Sequence, residues 1–94
     1  MKMQYLLGID FGGGASKATL LATDGTVAAE ATAEYPTLYP AAGACEQRPA
    51  DWIGALCENV HTLLGKSGVA PTDILAIAID SATHTSLVCD RHFT

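Results

Sequence analysis

Three consecutive glycines set between two apolar runs constrain this chain more than any other feature. The segment reads Gly8-Ile9-Asp10-Phe11-Gly12-Gly13-Gly14-Ala15-Ser16-Lys17. Tyr5 to Ile9 is a short apolar run ending in Asp10, the pattern of a buried strand. Ala15 to Ala22 sets Lys17 and Thr19 among small and apolar residues without a helical stripe, which predicts a second strand. A glycine turn between two strands lets main-chain amides point at an anion with no side chain in the way. Asp10 and Lys17 flank that turn and face the same opening. An acid beside a phosphate cradle repels the anion unless a divalent cation lies between, and Mg²⁺ is the usual one. The spacing therefore predicts a grip for a Mg–nucleoside triphosphate.

Two better-known glycine motifs do not fit. A Walker loop needs Gly-Lys followed by Ser or Thr at the start of a helix. Here Ser16 precedes Lys17 and a strand follows. A dinucleotide fingerprint needs a third glycine where Lys17 stands, and again a helix. A plain glycine hairpin with no ligand is the remaining alternative. The acid before the turn and the amine after it weigh against that.

The rest of the chain gives an order of elements. Asp24-Gly25 signals a tight turn, and Val27 to Glu34 predicts a third strand, antiparallel to the second because the link is short. Tyr35 to Arg48 carries Pro36, Pro40 and Gly43 with no periodicity and predicts a loop of the length that often covers a site. Pro49 suits the first position of a helix and Asp51 its positive end. Trp52, Leu56, Val60, Leu63 and Leu64 predict its apolar face, with Trp52 in the core, and Gly65 or Gly68 its end. Leu75 to Ile79 predicts a central strand covered on both faces, ending in Asp80, and Ser86 to Asp90 the start of another. The expected fold is α/β, a mixed sheet with the order β-β-β-α-β.

Composition excludes some partners. The chain has 94 residues, a net charge of −5 and only five Lys plus Arg. No basic stripe exists to neutralise a nucleic-acid backbone. The N-terminal apolar run is too short, and too soon interrupted by Asp10, for a signal peptide or a membrane span, which points to the cytoplasm. Cys45, Cys57 and Cys89 form no CxxC pair and read as free thiols. His61 and His92 read as surface residues, and Glu46-Gln47 as a brace for the loop.

The glycine segment resembles the first phosphate-binding hairpin of the superfamily that unites actin, the heat-shock chaperones and the sugar kinases. Its pattern is Asp-x-Gly, small residues, then a Lys or Arg. Within that group the chain resembles the FGGY carbohydrate kinases, most closely the xylulokinase-like branch. Asp24-Gly25 with Val27 matches the second turn of the family. Glu46-Gln47-x-Pro49-x-x-Trp52 matches the pattern that opens its first helix. Ile77-Ala78-Ile79, then His84, then Leu87-Val88-Cys89-Asp90 matches a strand, a substrate-binding corner and the next strand. The chain departs from the pattern at Gly13 and Gly14, where hydroxyl residues are usual. It departs again at Arg48, often Asp, and at Ala82-Thr83, where Gln-Met is usual before the substrate His.

The resemblance implies a ribonuclease H-like fold of the actin-like ATPase type. Residues 1–94 would be an incomplete N-terminal domain of a two-domain enzyme, with the remainder and the C-terminal domain absent. It implies ATP and Mg²⁺, and phosphorylation of a ketopentose such as xylulose, or of a related ketose or polyol. Asp10 would hold Mg²⁺ through water, while Gly12, Gly13 and Gly14 bind phosphate oxygens. Lys17 would neutralise charge growing on the γ-phosphate. His84 would hydrogen-bond a sugar hydroxyl, with Thr83 and Thr85 beside it. The family's catalytic base lies beyond Thr94, and none of Asp24, Asp51, Asp73, Asp80 or Asp90 matches its motif. The piece alone would then be inactive. The partners implied are a sugar, no nucleic acid and no membrane, with a homodimer open to the full-length protein. The rival readings are an actin- or chaperone-like ATPase acting on proteins and a non-catalytic interaction module.

Overall fold

Short links force the first three strands into a meander. In the computed structural model, which describes residues 3–43 and 46–81, β1 (Tyr5–Phe11), β2 (Ala15–Ala22) and β3 (Val27–Glu34) pair antiparallel in sequence order. Helix α1 (Pro49–Ser67) then carries the chain across the sheet, and β4 (Ile74–Ser81) returns parallel to β1. The sheet order is β3-β2-β1-β4. This is the mixed sheet expected from the sequence. The further strand expected at Ser86 to Asp90 lies outside the described residues.

Local chemistry sets the corners. At the β2–β3 turn Gly25 has φ 97°, a left-handed value that favours glycine, and its amide donates to the Ala22 carbonyl at 2.9 Å. The Thr26 amide donates to Asp24 Oδ1 at 2.9 Å, which holds the Asp24 carboxyl below its ordinary value. Helix α1 opens on Pro49 with no side-chain cap from Arg48, and Asp51 lies in its first turn. It closes at Gly68, whose φ of 69° lets its amide reach the Leu64 carbonyl at 3.0 Å.

The apolar face of α1 is rotated from the expected one. Its buried residues are Ala55, Asn59 and Leu63, a single row at four-residue spacing. Trp52, Leu56, Val60 and Leu64 are only partly buried and flank that row. Asn59 explains the shift. Its amide donates to the main-chain carbonyl of Ser16 in β2 at 2.9 Å, so a polar residue can occupy the centre of the contact. Around it, Leu7 and Ile9 of β1, Ala18 and Leu20 of β2, Ala31 of β3 and Leu63 form the core.

Strand β4 departs from expectation as well. The helix packs on β2 and β3, so among the described residues β4 is an edge strand rather than a covered central one. Leu75, Ile77 and Ile79 remain 56–64% exposed. They border an apolar groove of about 820 Å³ between the strand and α1, lined also by Leu56, Val60 and Leu64.

This division of burial predicts unequal costs of truncation. Leu20→Ala, at a position with no exposed surface, should lower stability by about 2–5 kcal/mol. Ile77→Ala, 60% exposed, should change it by about 0.5 kcal/mol. Urea unfolding followed by Trp52 fluorescence reads both.

Candidate functional site

Strand pairing places the charged residues of the motif in one row. Lys17 of β2 lies directly opposite Asp10 of β1, and Asp80 of β4 lies directly opposite Asp10 on its other side. Directly paired residues share a face of a sheet. Leu7, Ile9, Ala18 and Leu20 point to the helix side and are buried. Lys17, Asp10 and Asp80 alternate with them, are exposed, and occupy the opposite, open face. Small residues surround them, since Gly8 is paired with Ala78 one step back along the strands.

Lys17 Nζ stands 3.9 Å from Glu30 Oε1, with both side chains more than half exposed. A pair this long and this wet contributes little and leaves the ammonium free to turn to another anion. Asp10 and Asp80 together form an all-oxygen donor pair. Mg²⁺ takes one or two carboxylates and keeps several waters, so the pair fits that ion. Among the described residues no group of three or more His, Cys, Asp or Glu gathers. A cation here would complete its shell with water and phosphate oxygens.

The glycine turn is held from its inner side. The Gly12 amide donates to the Ala15 carbonyl at 2.9 Å and closes the hairpin. The Tyr35 hydroxyl shares its one proton between the carbonyls of Gly12 and, at 3.1 Å, Ala15. The Tyr35 amide donates to the Gly14 carbonyl at 3.1 Å. Gln47 Nε2 donates to the Gly13 carbonyl, and at 3.1 Å to Thr37 Oγ1. Every carbonyl of the three glycines therefore has a donor. The amides of Gly13 and Gly14 have no acceptor among the described residues, and both glycines are exposed.

The need for glycine differs along the turn. None of the three has a left-handed φ. A Cβ on Gly12 would sit 3.2 Å from the Ala15 carbonyl oxygen, whereas one on Gly13 or Gly14 would meet open space. Only at Gly12 does close backbone approach call for the absence of a side chain.

Tyr35 is 5% exposed. Burial pushes its phenol above the ordinary value of 10.0, and the nearby Asp10 carboxylate adds to the rise. The hydroxyl is thus kept as a donor. Sequence reasoning missed Tyr35 and Asn59 as site supports. Tyr35 is the first residue after the third strand, and that place next to a glycine turn is the only signal it gave. The expected brace at Glu46-Gln47 proves to be Gln47 on the turn itself, while Glu46 pairs its backbone with Leu38. Trp52, expected first as core, also donates its indole N–H to Gln47 Oε1 at 3.2 Å. His84, Thr83 and Thr85 lie outside the described residues.

With this geometry in place, likeness to known proteins is informative. The structure of a xylulose kinase from Brucella ovis superposes with a TM-score of 0.89 over 97% of this chain and 19% of that one, at 25% identity. That of a gluconate kinase from Lactobacillus acidophilus does so with a TM-score of 0.78 over 88% and 16%, at 26% identity. The four-stranded mixed sheet is that of the actin-like ATPase fold. Residues 5–93 match the N-terminal domain of the FGGY family of carbohydrate kinases, and the chain belongs to that family. Glycerol kinase of Xanthobacter autotrophicus is 40% identical over 93% of the chain, and xylulose kinase of Bacillus subtilis 35% identical over 95%. The chain spans 18% of the length of each of these two relatives.

Two outcomes follow from the turn. Gly12→Ala should destabilise by about 1 kcal/mol, whereas Gly13→Ala and Gly14→Ala should be neutral or stabilising by about 0.4–1 kcal/mol; thermal unfolding of the three variants ranks them. Tyr35 should ionise above 10.0 in an ultraviolet titration, in a step that Tyr35→Phe removes. Because its folded value is the higher one, its contribution to stability is complete below pH 10.0 and is lost as pH rises through the raised value.

Proposed function

We propose that this chain is the opening part of a kinase that transfers the γ-phosphate of ATP to a hydroxyl of a small polyol or ketose. The carrying observation is the pair of unengaged amides at Gly13 and Gly14, set beside an exposed row of Lys17, Asp10 and Asp80. The turn offers two N–H donors to phosphate oxygens without a side chain between. Lys17 sits on the returning strand, where its charge offsets negative charge on the phosphoryl group during transfer. Asp10, with Asp80 beside it, would hold Mg²⁺ on the open face. The ion would supply positive charge that offsets the charge of the phosphates.

The acceptor is a compound with several hydroxyls. A ketopentose such as xylulose is the first choice, and the relative named glycerol kinase brings a triol in beside it. His84, flanked by Thr83 and Thr85, is assigned to the acceptor's hydroxyls by its position in the family pattern. None of Asp24, Asp51, Asp73, Asp80 or Asp90 matches the family motif of the base that deprotonates the acceptor, so this reading assigns transfer to a polypeptide that includes such a base. Closure of two domains over the site would exclude water at the moment of transfer. Cytoplasmic work is consistent with the exposed, unpaired Cys57.

A polypeptide that extends this chain to the length of its relatives should phosphorylate xylulose or glycerol when assayed with Mg–ATP in a coupled assay. Lys17→Ala should lower its kcat by roughly 10²–10³-fold. Unchanged turnover in that variant removes Lys17 from the mechanism, and ATP consumption that answers to polypeptides but to no polyol or ketose overturns the sugar-kinase reading.

A further inference from the structure

Tyr35 and Gln47 touch the carbonyl side of the glycine turn, and a peptide plane makes that contact consequential for its other side. In a trans peptide the C=O of one residue and the N–H of the next lie in one plane and point in opposite directions. Among the described residues no peptide bond is cis. The Gly12 carbonyl and the Gly13 amide belong to one such plane, and the Gly13 carbonyl and the Gly14 amide to the next. Tyr35 Oη holds the first plane by the Gly12 carbonyl. Gln47 Nε2 holds the second by the Gly13 carbonyl.

Gln47 is itself oriented. An indole N–H can only donate, so the bond from Trp52 Nε1 fixes which end of the Gln47 amide is oxygen and turns Nε2 to the glycine turn. Thr37 Oγ1 takes the other contact of Nε2. A chain of side chains thus runs from the first turn of α1, through the 35–48 loop, to one particular peptide plane. Three glycines in a row would otherwise leave these planes with more freedom than any other sequence could.

We propose that Tyr35 and Gln47 are positioning residues, each fixing the direction of one anion-binding amide: Tyr35 that of Gly13, and Gln47, oriented by Trp52, that of Gly14. This rests on the reading of the turn as a phosphate cradle. Neither side chain contacts the phosphate. Each removes the rotation of a peptide plane before the ligand arrives, so that less order has to be created on binding.

The two assignments are separable because each names a different amide. The test uses the chain labelled with ¹⁵N-glycine and titrated with Mg²⁺ and inorganic tripolyphosphate. In the unmodified chain the Gly13 and Gly14 signals should both shift. Tyr35→Phe should loosen the Gly13 amide, lowering its order parameter from about 0.85 toward 0.6 or below. Gln47→Met, neutral and similar in length, should do the same at Gly14. Each should weaken tripolyphosphate binding by about fivefold to tenfold. Trp52→Phe leaves the turn untouched and should loosen Gly14 but not Gly13. It also serves as the second probe of the Gln47 arm should Gln47→Met fail to fold. If the unmodified chain binds and the variants bind equally well with unchanged order parameters, the positioning roles are wrong and the cradle stands. If tripolyphosphate moves neither glycine signal in the unmodified chain, the cradle itself is wrong, and the positioning proposal falls with it.

Discussion

The planarity of the peptide bond is the constraint on which the site depends. It couples the two sides of the glycine turn. Donors on the inner side take the carbonyls of Gly12, Gly13 and Gly14, and by that act the amides of Gly13 and Gly14 are turned outward. The scaffold behind it is arranged to serve this. The meander brings Tyr35 to the turn at the end of β3. The loop brings Gln47, and the first turn of α1 brings Trp52. Asn59, deeper in the helix, ties α1 to the Ser16 carbonyl just past the same turn.

The sheet supplies the charges by register rather than by packing. Antiparallel pairing sets Lys17 against Asp10, and parallel pairing sets Asp80 against Asp10. A slip of one residue would carry all three to the helix side. The burial of Leu7, Ile9, Ala18 and Leu20 excludes that slip. The hydrophobic core therefore specifies the electrostatics of the open face, although no core residue touches it.

Much of this was legible in the sequence, and the reasons for the rest are physical. The strands, the turns and the limits of α1 follow from local patterns, and the Asp10–Lys17 neighbourhood follows from the length of a glycine turn. Asn59 was hidden because polarity at a helical position usually marks the outer face. Only its partner, a carbonyl left inward by Ser16, makes it a core residue. The rotation of the helix face has the same origin. Trp52 looked like core because helical spacing with Leu56 records apolar area and not the direction of an indole N–H. Strand β4 has the uninterrupted apolar run of a covered strand, but α1 lies over β2 and β3 instead. Tyr35 follows its strand without any repeating pattern, so its hydroxyl contacts required three dimensions.

The absence of left-handed geometry at Gly13 and Gly14, with free space above both, separates two pressures that usually act on a phosphate loop together. Architecture demands glycine at Gly12 alone. At the next two positions natural selection can add or remove hydroxyls to suit a new ligand while the hairpin keeps its shape. A lineage can therefore retune what the turn holds without rebuilding the turn.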